Sequence, residues 1–198
     1  MKEKGYYIDG ETIVVNRELN KLDLFLKDFL GVLREYSDYL VVSGFVSIST
    51  GRTRGTEDID VLFPVMGKED FGRFFGDLVG NGFWCYQGDS FEEVYEYVEN
   101  MNNIRFARVD EMFPNIEFIP IDETKEAKFF EFSHPQKIKI SDFEFKIPPL
   151  EFEILYKEIV LASEKDIADA IHLRTFFKDI LKNEKFKEYE SIVRKELK

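Results

Sequence analysis

The sequence is poor in the residues that form covalent or metal-based crosslinks. Among its 198 residues it has one cysteine, Cys85, and two histidines. A single thiol excludes a disulfide within the chain and fits a reducing compartment, so we expect a cytoplasmic protein. No apolar run approaches the length needed to cross a bilayer, and we therefore expect no membrane-spanning helix.

Basic residues are also scarce. Lys and Arg total 27 against 39 Asp and Glu, which gives a net charge of -12. A surface this acidic has no general attraction for nucleic acids or anionic membranes. Any contact with RNA or DNA would therefore depend on a local group of basic side chains.

The sequence is rich in apolar residues, which make up 44% of the chain and include 21 Phe. A chain of this length and composition can bury a core without disulfides or metals. Its length predicts one domain, or one domain with a small appendage.

Hydrophobic periodicity and turn residues predict a mixed sheet followed by helices, which is an α+β fold. The predicted strands are 38–43, 58–63, 104–109 and 116–121, with a hairpin formed by 137–140 and 143–147. The predicted helices are 18–36, 45–50, 69–79, 91–98, 150–163, 166–181 and 185–197. Because the chain after Pro148 and Pro149 is all helical in character, we expect two parts. These are a core with an N-terminal helix over 1–148 and a helical C-terminal subdomain over 149–198 that closes a cleft.

Asp58 and Asp60 are two residues apart on a predicted strand. A period of two places both carboxylates on one face, while Ile59 and Val61 point into the core. Two neighbouring carboxylates repel each other, and Mg²⁺ would neutralise them. Two such ions would clamp the attacking and leaving oxygens of a phosphoryl or nucleotidyl transfer. The alternative is that both aspartates are solvated at the start of a strand.

The residues before this pair are suited to phosphate. Ser43 and Gly44 end a buried strand and open a short helix, where backbone N–H groups favour an anion. Arg54 offers a guanidinium that can bind phosphate with two hydrogen bonds, and Thr56 can fix the loop through a local hydrogen bond. The alternatives are an ordinary strand-to-helix turn and a surface ion pair between Arg54 and Glu57.

Together these residues resemble the signature of the nucleotidyltransferase superfamily, which has a DNA polymerase beta-like fold. The resemblance is strongest to its minimal prokaryotic branch, which includes toxins of abortive-infection and toxin–antitoxin systems. Members of that branch have a Gly-Gly pair where this sequence has Ser43 and Gly44. The residues that match in order and spacing are Gly44, Gly51, Arg54, Thr56, Asp58 and Asp60.

The resemblance also implies a third carboxylate on a later strand. Glu117, flanked by apolar residues, matches that position and would complete a metal set with Asp58 and Asp60. Asp122 and Asp110 are the other candidates. The alternative for Glu117 is a solvent-facing residue of the strand.

The resemblance extends into the helical tail. There the family has a lysine that faces nucleotide phosphates, followed by a Lys-Asp pair and a further aspartate. The corresponding residues are Lys157, Lys165, Asp166 and Asp169. Asp166 has an equally good alternative, as an acidic residue favoured by the N-terminus of a helix.

The resemblance implies an enzyme that transfers a nucleoside monophosphate from an NTP to a hydroxyl with the help of two Mg²⁺ ions. The acceptor classes left open are RNA such as tRNA, a protein and a small molecule. An antitoxin-like protein is an expected partner if the chain is a toxin. The alternative is a catalytically silent member that binds a nucleotide or a protein.

Six basic residues are expected to converge around the carboxylates, the alternative being that each pairs with a nearby acid. They are Arg52, Arg54, Arg105, Arg108, Lys157 and Lys165. His172 and His134 are interpreted as ordinary helix and loop residues, because nothing near them in the sequence suggests a metal-ligand set.

Overall fold

The computed structural model describes residues 5–197. Residues 1–4 and 198, which the expected domain boundaries include, lie outside the described part. The chain forms two compact units. Within the described range, the first unit comprises 5–19, 41–54 and 123–197, and the second comprises 20–40 and 55–122. The expected division at residue 148 stays a prediction.

The predicted α+β class is confirmed. The strands are β1 (Tyr6–Asp9), β2 (Thr12–Val15), β3 (Leu40–Val42), β4 (Asp58–Pro64), β5 (Phe83–Cys85), β6 (Ile104–Arg108), β7 (Asn115–Ile121), β8 (Gln136–Ile140) and β9 (Phe143–Ile147). The helices are α1 (Lys21–Leu33), α2 (Gly44–Ser49), α3 (Lys68–Gly80), α4 (Phe91–Glu99), α5 (Glu126–Ser133), α6 (Leu150–Tyr156), α7 (Glu164–Phe176) and α8 (Asn183–Val193).

The first unit contains a mixed sheet in the order β1-β2-β8-β9. Strands β1 and β2 form an antiparallel hairpin, β2 and β8 are parallel, and β8 and β9 form the predicted hairpin. Helix α2 rests on this sheet through Phe45, whose ring lies 5.6 Å from that of Phe145. Helices α5, α6 and α8 bury their own cluster, which includes Phe152 and Tyr189.

The second unit contains the sheet that carries the predicted carboxylates. Strand β4 is parallel to β7, β7 is antiparallel to β6, and β6 is antiparallel to β5. Helices α1 and α3 cover the sheet with phenylalanines. Phe29 of α1 packs with its ring 5.6 Å from Phe118 of β7 and 5.7 Å from Phe83 of β5. The many phenylalanines are therefore core residues in this unit, as predicted.

The N-terminus of α1 shows how local sequence fixes an element. Asn20 accepts hydrogen bonds from the backbone N–H groups of Leu22 and Asp23, and Asp23 accepts one from the N–H of Asn20 in return. This reciprocal cap satisfies N–H groups that no helical carbonyl can reach. The helix therefore begins at Lys21, three residues later than the apolar periodicity predicted.

Several parts of the chain differ from the sequence-based prediction. The β1–β2 hairpin and α5 were not predicted, because both are short and β1 exposes three of its four residues. The long helix predicted over 150–163 ends as α6 at Tyr156 and continues as one π-helical turn, Lys157–Leu161, before Ala162 takes a left-handed conformation. None of the helices within residues 5–197 is both long and apolar enough to cross a membrane.

Candidate active site

The two aspartates of β4 lie on one face of the strand. Asp58 and Asp60 are half-buried, whereas Ile59 and Val61 between and after them are fully buried. This alternation is the period of two that the sequence predicted. The hydroxyl of Thr56 lies 2.9 Å from the carbonyl oxygen of Asp58 and 3.3 Å from its Oδ1, so it makes the local hydrogen bond expected of it.

Strand register brings a third acidic residue beside this pair. Asp60 is the direct partner of Glu117 across the parallel strands β4 and β7, and Asp58 is the partner of Asn115. Paired residues of adjacent strands project to the same face, so three carboxylates share one face of the sheet. Of the other candidates for the third carboxylate, Asp110 lies in the turn after β6 and Asp122 directly after the end of β7.

Both oxygens of Glu117 already have partners. Oε1 accepts a hydrogen bond of 2.8 Å from Asn103 Nδ2, and Oε2 accepts one of 3.0 Å from Arg105 Nη2. Arg105 faces Glu117 because these two residues are also register partners, on β6 and β7. Glu117 is therefore held towards β6.

The resemblance implies Mg²⁺ at Asp58, Asp60 and Glu117. Among residues 5–197, no group of three or more His, Cys, Asp or Glu side chains is arranged to hold a metal ion. Mg²⁺ often takes only one or two protein carboxylates and completes its shell with water and substrate phosphates. Asp58 and Asp60 fit this ion by the chemistry of their oxygens, whereas Glu117 would first have to leave Arg105.

In the first unit, the segment that opens α2 has an unusual backbone. Ser43 has φ of 62° and ψ of -133°, a region that glycine occupies readily and other residues rarely. Gly44 follows, and a Cβ there would lie 2.8 Å from Arg54 Nη2, so a side chain at this position would displace the end of Arg54. The guanidinium of Arg54 therefore packs directly against the main chain where α2 begins.

A buried carboxylate on α7 gathers the cations of this segment. Asp169 is 0% exposed and accepts short hydrogen bonds from Arg52 Nε, through Oδ1, and from Arg54 Nη1, through Oδ2. Lys157 Nζ lies 3.4 Å from the same Oδ2. The ion pair of Arg54 is therefore not with Glu57, the alternative that the sequence offered, but with a residue more than a hundred positions away.

Lys157 and Asp166 have local partners of their own. Lys157 is 0% exposed, with Nζ 3.2 Å from Glu153 Oε1 as well as close to Asp169. Asp166 lies in the first turn of α7, where its N–H and carboxylate both bond the hydroxyl of Ser163, at 3.2 Å and 2.5 Å. Their roles as nucleotide-binding residues stay predictions.

His172, one turn after Asp169, also contacts this segment. Its Nε2 lies 2.9 Å from Thr50 Oγ1, and the Thr50 hydroxyl is 2.8 Å from the carbonyl of Ser47. Because that hydroxyl has one proton to give to Ser47, Nε2–H of the imidazole is the donor to Thr50. Burial, and then the charge of Arg52, lower the pKa of His172.

The remaining basic residues of the predicted set are paired within the second unit. Arg105 binds Glu117, and Arg108 binds Asp28 with its guanidinium 4.2 Å above the ring of Phe83. Five of the six residues therefore have an acidic partner, but Arg52, Arg54 and Lys157 share Asp169 and do not pair separately. The sixth residue, Lys165, has no acidic partner within residues 5–197.

Asp169 was the residue of this site whose role sequence reasoning missed. The one signal in the sequence was spacing, because Asp169, Leu173 and Phe177 follow one another four residues apart, and the structure buries all three fully. A helical period places an aspartate on the apolar face, and a buried aspartate requires cationic or hydrogen-bonding partners.

Comparison with known proteins supports the fold. No protein-family model matches the sequence, and no match is found among curated proteins. A crystal structure of an antigenic nucleotidyltransferase-like protein from Paracoccidioides brasiliensis is similar over 91% of each chain, with a TM-score of 0.50 and 14% identity. At this identity the similarity is one of architecture. The chain therefore has a nucleotidyltransferase-like fold.

Proposed function

We propose that the protein is a Mg²⁺-dependent nucleotidyltransferase that transfers a nucleoside monophosphate from an NTP to a hydroxyl acceptor. The observation that carries this proposal is the acidic face of the second unit, where Asp58 and Asp60 share one side of β4 and Glu117 is the register partner of Asp60. The carboxylates of Asp58 and Asp60 repel each other across this face, and a divalent cation would lower that repulsion.

Each acidic residue has a distinct role in this proposal. Asp58 and Asp60 would hold Mg²⁺, and Glu117 would complete the set and accept the proton of the acceptor hydroxyl. When bound, the metal supplies positive charge that stabilises the phosphate oxygens during transfer. Thr56 supports Asp58 by fixing the backbone where β4 begins.

The phosphate-binding role is assigned to residues of the first unit. Ser43 and Gly44 would present backbone N–H groups, and Arg54 would donate to phosphate oxygens. Support comes from the close approach of Arg54 to Gly44 and from Arg54 Nε, which is buried and has no hydrogen-bond partner among residues 5–197. Lys157 would act through Asp169, the partner of Arg54, and Asp166 would contribute to nucleotide binding from the first turn of α7.

The net charge of the surface restricts how an acceptor can be bound. A net charge of -12 disfavours extensive nucleic-acid contact, so an RNA acceptor such as tRNA would be held near its end by few basic residues. A protein hydroxyl and a small molecule are the other acceptor classes. We further propose that the protein acts in the cytoplasm as the toxin of a toxin–antitoxin pair, with the antitoxin as its protein partner.

The test is incorporation of label from each NTP, with Mg²⁺, into total tRNA, a cell-protein extract or an aminoglycoside. We expect incorporation by the wild type and its loss in a double variant, Asp58→Asn with Asp60→Asn. The matched control is Asp9→Asn with Glu11→Gln, which removes two exposed acids of the same spacing. Equal incorporation by the two double variants would contradict the proposal.

A second candidate function is that of a catalytically silent member that binds nucleotide or protein. It is favoured by one observation, the engagement of both oxygens of Glu117 by Asn103 and Arg105. Calorimetry with NTP and Mg²⁺ separates the two. Binding without incorporation into any acceptor favours the silent member, and incorporation excludes it.

A further inference from the structure

The buried charges around Asp169 do not balance. Arg52, Arg54 and Lys157 approach Asp169, and Glu153 adds a second acid through Lys157. Three cations and two carboxylates leave one positive charge in excess. A buried or half-buried excess charge is costly unless a counterion approaches it, so this cluster favours an anion.

The arginines retain capacity to bind that anion. A guanidinium carries five N–H donors, and each arginine commits one nitrogen to Asp169. The side chains of Arg52 and Arg54 are 25% and 18% exposed, so neither is sealed from solvent as Asp169 is. Asp169 therefore engages one nitrogen of each guanidinium, and both groups have further nitrogens that Asp169 does not contact.

Helix α7 fixes the same segment at a second point. His172 lies three residues after Asp169 and thus on the same side of the helix. Its Nε2–H donates to Thr50, two residues before Arg52. The segment from Thr50 to Arg54 is therefore held at two points from α7, by the ion pairs of Asp169 and by the hydrogen bond of His172.

We infer that Asp169 is a positioning residue that orients the guanidinium groups of Arg52 and Arg54 for the phosphates of the nucleotide. This inference rests on the proposed function. Asp169 itself touches no substrate, because it is fully buried. Its contribution is preorganisation: arginines already held in place lose less freedom when a phosphate binds.

The test measures binding of inorganic triphosphate to the full chain by calorimetry, with unfolding curves for every variant. Asp169→Asn keeps the shape of the side chain but removes its charge. We expect its affinity to fall about tenfold, the effect of weakening one charge-assisted hydrogen bond to the ligand. The control is Glu158→Gln, which weakens the two hydrogen bonds to Arg174 of 2.7 and 2.8 Å in the same unit and should leave affinity unchanged.

A second variant covers the case in which Asp169→Asn does not fold. Asp169→Glu keeps the negative charge and should fold. Because its side chain is one methylene longer, the carboxylate moves away from its present position and misplaces both guanidinium groups. Positioning predicts weaker triphosphate binding by this variant as well. Wild-type affinity in folded Asp169→Glu, or in folded Asp169→Asn, would overturn the inference and leave Asp169 a purely structural residue.

A separate readout distinguishes failure of this inference from failure of the proposed function. The Nε–H resonances of Arg52 and Arg54 report their order by NMR without any ligand. We expect two resolved, slowly exchanging signals in the wild type that are lost in Asp169→Asn and retained in Glu158→Gln. If the wild type binds no triphosphate, the phosphate role fails. If the arginine signals are also unchanged by Asp169→Asn, positioning fails independently.

Discussion

Replacing Lys157 by methionine tests how strongly the buried charges stabilise the first unit. The ammonium is fully buried, 3.2 Å from Glu153 Oε1 and 3.4 Å from Asp169 Oδ2. Methionine fills the space of the lysine stem and removes only the charge. Asp169 keeps its two arginines, so the main cost falls on Glu153, a 2% exposed carboxylate that loses this cation.

The expected magnitude is large. Removing one partner of a buried ion pair costs about 3–5 kcal/mol, because the other charge stays buried without compensation. For a chain of this size each kcal/mol lowers the melting temperature by about 2–4 °C, which gives a decrease of roughly 6–20 °C. Replacing both partners, as in Glu153→Leu with Lys157→Met, removes the stranded charge and should recover most of the loss.

The assay is urea unfolding with thermal melts at pH 7. The control is Lys185→Met, because Lys185 pairs with Glu188 at 2.8 Å on an exposed helix face, where solvent screens the pair and it contributes little to stability. A Lys157→Met variant within about 1 kcal/mol of the wild type would refute the reasoning. So would a double variant no more stable than the single one.

Three further predictions follow from the backbone and from burial. Ser43→Gly should raise the free energy of unfolding by about 1 kcal/mol in urea, because glycine relieves the strain at φ of 62°. Gly44→Ala should leave stability nearly unchanged, since the flexible end of Arg54 can move, yet weaken calorimetric triphosphate binding about tenfold by displacing that guanidinium. Burial raises the pKa of Glu131 to about 7 from its ordinary 4.5. The protonated side chain therefore contributes its full stabilisation below pH 4.5, and this contribution is lost as the pH rises through 7. In melts over a series of pH values, the wild type should lose stability relative to Glu131→Gln between these two values. Parallel pH profiles of the two proteins, or a Ser43→Gly variant less stable than wild type, would contradict these expectations.

Local patterns predicted most elements correctly. The period of two at Asp58 and Asp60, the hairpin around Ser141 and the apolar stripes of α1 and α3 depend on neighbouring residues. Strand β1 exposes three of its four residues and β2 has only four residues, so neither is long enough to show such a pattern, and β2 instead pairs with the distant β8. Sheet pairing between remote segments overrides weak local preference.

The same limit applies to the candidate site. The sequence alone placed two aspartates on one strand face, because that follows from backbone geometry. Resemblance, not periodicity, suggested Glu117, and only strand register shows it beside Asp60 and held by Arg105. A register over fifty residues apart in sequence depends on the whole sheet, so local reasoning cannot assign it.

The partners of the basic residues depended entirely on tertiary structure. The sequence placed Arg54 in a polar loop, and the resemblance pointed to Asp169 only as a further aspartate of the helical tail. That these two residues meet, and that Lys157 joins them, required α7 to pack where the segment after α2 passes. Charge attraction acts in all directions and selects no particular partner, so a sequence states which charges exist and only the folded chain decides which of them pair.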